Sequence, residues 1–156
     1  MNSEKRKILG DYSSIICLKA IITGMEDALG EKTTAIALIA AGRLRGRQVA
    51  EQLKLTEVNE NLEQITQMVA DALGKDGTRL LILDKIEKTD TGYRAYTQET
   101  VCSAGEEEGS ARICTFSLGA VQGVLEAITN QRYRGQQIES VLRGGSHDVF
   151  EYTPIK

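Results

Sequence analysis

CTFSLGAVQGVLEAI, residues 114–128, has the length and composition of a helix, yet it carries two glycines and is apolar nearly all round. A glycine inside a helix costs about 0.5–1 kcal/mol relative to alanine, so Gly119 and Gly123 imply something large lying against their face. On a helical wheel Phe116, Ala120, Gly123, Val124 and Ala127 form one apolar side, and Leu118, Val121 and Leu125 form a second roughly opposite. Only Gln122, Glu126 and Thr129 mark a polar edge. A helix with two apolar sides belongs between layers. One side would cover a sheet and the other would meet a second helix.

Upstream, TTAIALIAAGRLRGRQVAEQL (33–53) supplies that second helix. Leu38, Gly42, Gly46, Val49 and Leu53 fall within about an 80° arc, with Arg43 and Arg47 off it. Small residues on both helices allow close approach. The alternative is that the facing glycines leave a slot for a flat or elongated hydrophobic ligand. The sequence leaves both readings open.

The rest of the chain falls into place around this pair. Residues 12–29 put Ile15, Leu18, Ile22, Met25 and Leu29 on one stripe, stopped by Gly30. Residues 58–73 form a third helix with Val58, Leu62, Ile65, Val69 and Ala72 inward. The period then shortens: 78–89 reads as a strand, TDTG as a turn and 93–102 as its hairpin partner. Residues 103–112 form an acidic, glycine-containing loop. After the glycine helix, strands over 136–143 and 148–155 close the chain. The order αααββαββ predicts an α+β fold, with an antiparallel sheet of about four strands covered by helices. Residues 1–156 read as a single domain, with 1–9 as a flexible N-terminal arm.

Composition narrows the function. The 156 residues are 26% charged and 41% hydrophobic with a net charge of −3, so no overall basic surface marks a nucleic-acid binder. No apolar run reaches the roughly 18 residues of a membrane span, and the N-terminus lacks a signal-peptide core, which points to the cytoplasm. Cys17, Cys102 and Cys114 are expected as free thiols. Cys102 and Cys114 flank the acidic loop and could lie close in space, where a thiolate could serve redox chemistry or pigment attachment. Packing as small hydrophobes is the alternative. His147 in GGSHD could ligate a metal or move a proton, or simply cap a turn. Ser146, His147 and Asp148 are adjacent and cannot form a triad. Arg43, Arg45, Arg47, Arg132, Arg134 and Arg143 could pair with a ligand carboxylate or line a solvated face or dimer rim. GEEEG is not a calcium loop, and no Walker A, dinucleotide or zinc-protease motif occurs. With no acid, base and cofactor pocket to name, an enzyme is the weakest reading.

A cysteine ending a strand (Cys102), a Gly/Glu loop, C-x-F-x-x-G-x-x-x-G (Cys114, Phe116, Gly119, Gly123), E-S-V-L (139–142), and A-G-R-L-R-G-R (41–47) together form a pattern. Over residues 10–155 the chain resembles the 4-vinyl-reductase-type, or hydrocarbon-binding, domain, related to TRAPP-complex subunits and haem-NO-binding domains. It is most similar to stand-alone cyanobacterial members. The resemblance implies a homodimeric module that binds a small hydrophobic or tetrapyrrole-like molecule and supports pigment or photosystem assembly, with a protein partner in that assembly. A dimeric scaffold without ligand is the alternative, and a tetrapyrrole reductase a weaker one. The ligand seat it implies comprises Gly42, Arg43, Gly46, Cys114, Phe116, Gly119 and Gly123. In metal-containing members a similar pattern holds zinc. Here Cys114 and Glu139 match, but Leu142 replaces a thiolate and Asp148 or Val149 stands at the last position. Leucine offers no ligand, so no metal is expected, with Cys114, Glu139, His147 and Asp148 as an improvised alternative.

Overall fold

The computed structural model describes residues 5–56 and 61–156. Its elements are α1 (Ile15–Leu29), α2 (Glu31–Gln52), α3 (Leu62–Leu73), β1 (Ile82–Thr89), β2 (Gly92–Gln98), α4 (Thr115–Thr129), β3 (Tyr133–Glu139) and β4 (Asp148–Pro154), with a 3-10 turn at Val141–Arg143. This is the αααββαββ order. The four strands form one antiparallel sheet in the order β1-β2-β4-β3.

Local chemistry sets the boundaries. Ser14 starts α1 because its side chain accepts the Ile16 N–H at 3.1 Å. Gly30, at φ 83°, turns the chain directly into α2. Asn61 opens α3 with a capping box, its side chain accepting the Gln64 N–H while Gln64 returns to the Asn61 N–H. The N-terminal turn expected for α3, including Val58, lies outside the described residues, as does the start of the expected arm (1–4).

Two strands are shorter than their hydrophobic runs. Thr78, Leu80 and Leu81 spend their N–H groups on the Ala72 and Leu73 carbonyls at the end of α3, so pairing begins only at Ile82. Glu99 adopts φ 49°, which turns the chain out of β2 before Cys102. In the segment read as strand 136–143, Ser140 instead caps the 3-10 turn by accepting the Leu142 N–H. The true strand starts earlier, at Tyr133.

The layers follow the expectation for the glycine helix. Every residue of α4 from Ser117 to Leu125 is buried. The Tyr152 hydroxyl donates to the Leu118 carbonyl at 2.7 Å, fixing α4 to the sheet, and burial raises the Tyr152 phenol well above its usual range. The core gathers Val49, Val69, Leu73, Leu83, Ile86, Val121, Leu125 and Phe150 around this helix. α1 departs from expectation. Of its five-residue stripe only Ile22 is buried, while Ile15 and Leu29 are exposed. Its sequence is apolar on several sides, so the wheel could not fix which side faces in.

Candidate functional site

The four expected glycines do meet, and they meet without a gap. A Cβ built on Gly42 would stand 2.8 Å from the Ala120 nitrogen and 2.9 Å from the Gly119 Cα. On Gly46 it would stand 2.8 Å from the Val124 nitrogen and 2.9 Å from the Gly123 Cα. Gly119 and Gly123 face the α2 backbone at Ile39, Gly42 and Arg43 with equal closeness. Backbone packs on backbone, and the slot that the glycines might have left is closed. With no side chain between them at these four positions, the two helices meet backbone to backbone.

Arg43 is also engaged. Its Nε and Nη2 donate to one Glu126 oxygen at 3.0 and 2.7 Å, and Gln122 and the Tyr133 N–H donate to the other at 3.2 Å each. Burial pushes the Glu126 carboxyl up, but these donors outweigh it and hold it below the ordinary carboxylate range. The arginine expected to meet a ligand acid therefore meets this carboxylate. Phe116 is half-buried at the edge of the core.

Cys114 is not a free thiol. It is disulfide-bonded to Cys102, with a Cα separation of 5.1 Å, and Cys17 alone is free and exposed among the described cysteines. The expectation of three free thiols is corrected here. The pairing depends on the turn at Thr100–Ser103 and on a loop that returns to α4, neither of which spacing reveals. That loop is tied at both ends: Gly109 N–H donates to the Leu142 carbonyl at 2.6 Å, and Lys19 of α1 donates to the Cys102 and Ala104 carbonyls at 2.9 and 2.8 Å. Arg112 bridges Glu106 and Glu26, the latter at 2.5 Å.

The residues weighed for zinc do not fit one. The Cys114 sulfur is consumed by the disulfide, Leu142 is buried and apolar, and Glu139 is exposed. Both Asp148 oxygens already accept hydrogen bonds from Thr100, Gln137 and the Val141 N–H. No cluster of three ligating side chains exists among the described residues. His147 sits between Ser146 Oγ at 2.9 Å and Asp84 Oδ2 at 2.8 Å, its ring edge-on to Tyr96.

A roomier concavity than the closed seam lies elsewhere. A cleft of about 830 Å³ opens between residues 10–21 and the 76–80 turn. Ile15, Leu18, Ile21, Leu80 and Val101 give it an apolar lining. At its rim the Tyr12 hydroxyl donates to the Gly77 carbonyl at 3.0 Å, and the Arg79 guanidinium stands 5.4 Å over the Tyr12 ring. A second hollow, about 310 Å³, lies between Glu26, Glu31 and the 110–115 segment, with polar and apolar groups in about equal share. The sequence carried one signal of the larger cleft, the surplus of apolar residues on α1 beyond a single stripe.

No family model matches the chain, and no curated protein matches it, so the 4-vinyl-reductase-type resemblance finds no matching family. Among solved structures it is similar to the phenol-responsive sensory domain of the transcription activator PoxR, solved with phenol. The TM-score is 0.73 at 15% identity, over 92% of this chain and 76% of that one. The two share a fold. No described helix is long and apolar enough to cross a membrane.

Proposed function

We propose that this chain is a non-catalytic module that seats a small hydrophobic molecule in the cleft between residues 10–21 and the 76–80 turn. The observation that carries the reading is the cleft itself: about 830 Å³ with an apolar lining, within the roughly 300–1,000 Å³ usual for small-molecule sites. Likeness in fold to a phenol-responsive domain supports an aromatic ligand of low polarity. A tetrapyrrole-like ligand is the finer reading, its acidic group paired with the exposed Arg79 because Arg43 is held by Glu126. A role in pigment or photosystem assembly extends that finer reading. The seam of Gly42, Gly46, Gly119 and Gly123 would then be the support behind the site, since a seat at the seam requires α2 and α4 to part.

Thermal unfolding with phenol, simple aromatics, bilins and chlorophyll precursors tests this. A ligand at a hundred times its Kd stabilises by about 2.7 kcal/mol, which raises the Tm by several degrees. Leu18→Glu should reduce the response at least tenfold in affinity, while Arg43→Gln should retain it. No response with any compound removes the proposal. Loss with Arg43→Gln alone returns the seat to the seam.

A dimeric scaffold is the second reading, favoured by one observation. Among the described residues, nine of the twelve large hydrophobic side chains left exposed lie between Ile8 and Leu44, with Ile16 76% and Ile36 64% exposed. Such concentration on α1, α2 and the segment just before them is what a second copy of the chain would cover. Sedimentation should show a dimer that Ile36→Glu converts to monomer. A monomer at all concentrations discards this reading.

A further inference from the structure

The Cys102–Cys114 bond is buried at the edge of the hydrophobic core and carries a network of polar side chains on one flank. The Thr100 hydroxyl is 3.3 Å from each sulfur and donates to Asp148 Oδ2 at 2.8 Å. Asp148 is fully buried (0% exposed), and no Lys, Arg or His is among its bonded partners in the described residues. Its other oxygen accepts from the Gln137 amide at 3.2 Å and the Val141 N–H at 3.1 Å. Gln137 in turn accepts the Cys114 N–H at 2.9 Å, closing a ring of bonds around the cysteines. Burying a carboxylate is costly even when it is hydrogen-bonded. Disulfide sulfurs have no proton to give and accept weakly. With its own proton committed to Asp148, the Thr100 oxygen turns lone pairs towards the sulfurs, and those lone pairs suit an S–H donor.

We propose that Cys102 and Cys114 are a reversible thiol–disulfide pair that accepts two electrons from a dithiol reductant, with Thr100, oriented by Asp148, as the built-in acceptor for the reduced thiol. A thiolate of the reductant attacks Cys102 Sγ. The S–S bond breaks and its electron pair leaves on Cys114 Sγ. Cys114 is the N-cap of the fifteen-residue α4 and its side chain makes no capping bond, so the helix's free N–H groups favour the departing thiolate. The reductant's second thiolate then attacks its own sulfur in the mixed disulfide, releasing Cys102. The reductant ends as a disulfide, and its two thiol protons end on Cys102 and Cys114. The reduced Cys102 S–H donates to Thr100 Oγ1. Access comes through α1, which covers the turn by the Lys19 bonds to Cys102 and Ala104 yet buries only Ile22.

The test titrates the full-length folded protein with graded ratios of reduced to oxidised dithiothreitol, traps thiols with N-ethylmaleimide and counts adducts by intact mass. Cys17 contributes one adduct throughout. Adducts should rise from one to three and return to one on reoxidation, with circular dichroism and protease resistance unchanged. Thr100→Val should move the midpoint to a roughly three- to tenfold higher reduced ratio, the value of one hydrogen bond, and Thr100→Ser should restore it. If the two extra adducts appear only as the protein unfolds, the bond is a structural cross-link and the proposal fails. If Thr100→Val leaves the midpoint in place, the assigned role of Thr100 and Asp148 fails.

Discussion

The molecule treats glycine in two opposite ways. In α2, Gly46 lies under the backbone of α4, and an added methyl group would stand 2.8 Å from the Val124 nitrogen. In α1, Gly24 occupies an equally regular helical position with nothing within 4 Å of where its Cβ would be. One glycine permits contact between helices, and the other carries only the propensity cost of lacking a side chain. The α2–α4 seam is thus filled to the backbone, whereas α1 rests on the body through Ile22 and a few polar ties.

The sharpest way to break this contrast is to fill the seam. Gly46→Ala forces α2 away from α4 and should destabilise by about 3 kcal/mol, the upper part of the usual overpacking range, read by urea unfolding. Loss below about 0.5 kcal/mol would mean that the seam has slack.

Next in size is Glu126→Gln, which leaves Arg43 beside the seam without its counter-charge. About 1–3 kcal/mol should be lost at neutral pH. The folded carboxyl is held below its unfolded value, so its contribution is complete above the unfolded pKa and fades as pH falls through the folded one. The gap between wild type and variant should therefore close in acid. A gap that widens on acidification would contradict the assignment.

Gly24→Ala should act in the other direction, stabilising the chain by about 0.5–1 kcal/mol. If it instead weakens a dimer in sedimentation, a second copy covers that face of α1. The smallest effect belongs to Tyr12→Phe. It removes the bond to Gly77 but keeps the ring under Arg79, and it should cost about 0.5 kcal/mol of thermal stability.

These regions also differ in how legible they are. The seam could be read from sequence because two helices carried glycines at matching spacing, and the two-sided apolar wheel of α4 placed it between sheet and helix. The order of elements along the chain and the α+β class followed from changes of period, whereas the sheet order β1-β2-β4-β3 has no such local signal. α1 could not be oriented, because Ile15, Ile16, Ile21 and Ile22 offer several equivalent apolar stripes and burial is decided by what the rest of the fold leaves available. The cleft that results depends on the 76–80 turn, drawn back onto α3 by bonds from Thr78 and Leu80 to the end of that helix. The Cys102–Cys114 pairing escaped for a similar reason: it needs the left-handed Glu99 and a loop pinned to α1 and the 3-10 turn. Arg43 was rightly marked as charged and off the apolar arc, but its partner lies 83 positions away.

The backbone contact at the four glycines has a mechanical consequence. Helices separated by long side chains can slide as rotamers change, but two helices touching at Cα have no such bearings. α2 and α4 must travel as one beam, with the sheet fastened beneath through Tyr152. Any motion transmitted to another molecule would have to come from the lightly held α1, which makes that helix the lever and the glycine seam its fulcrum.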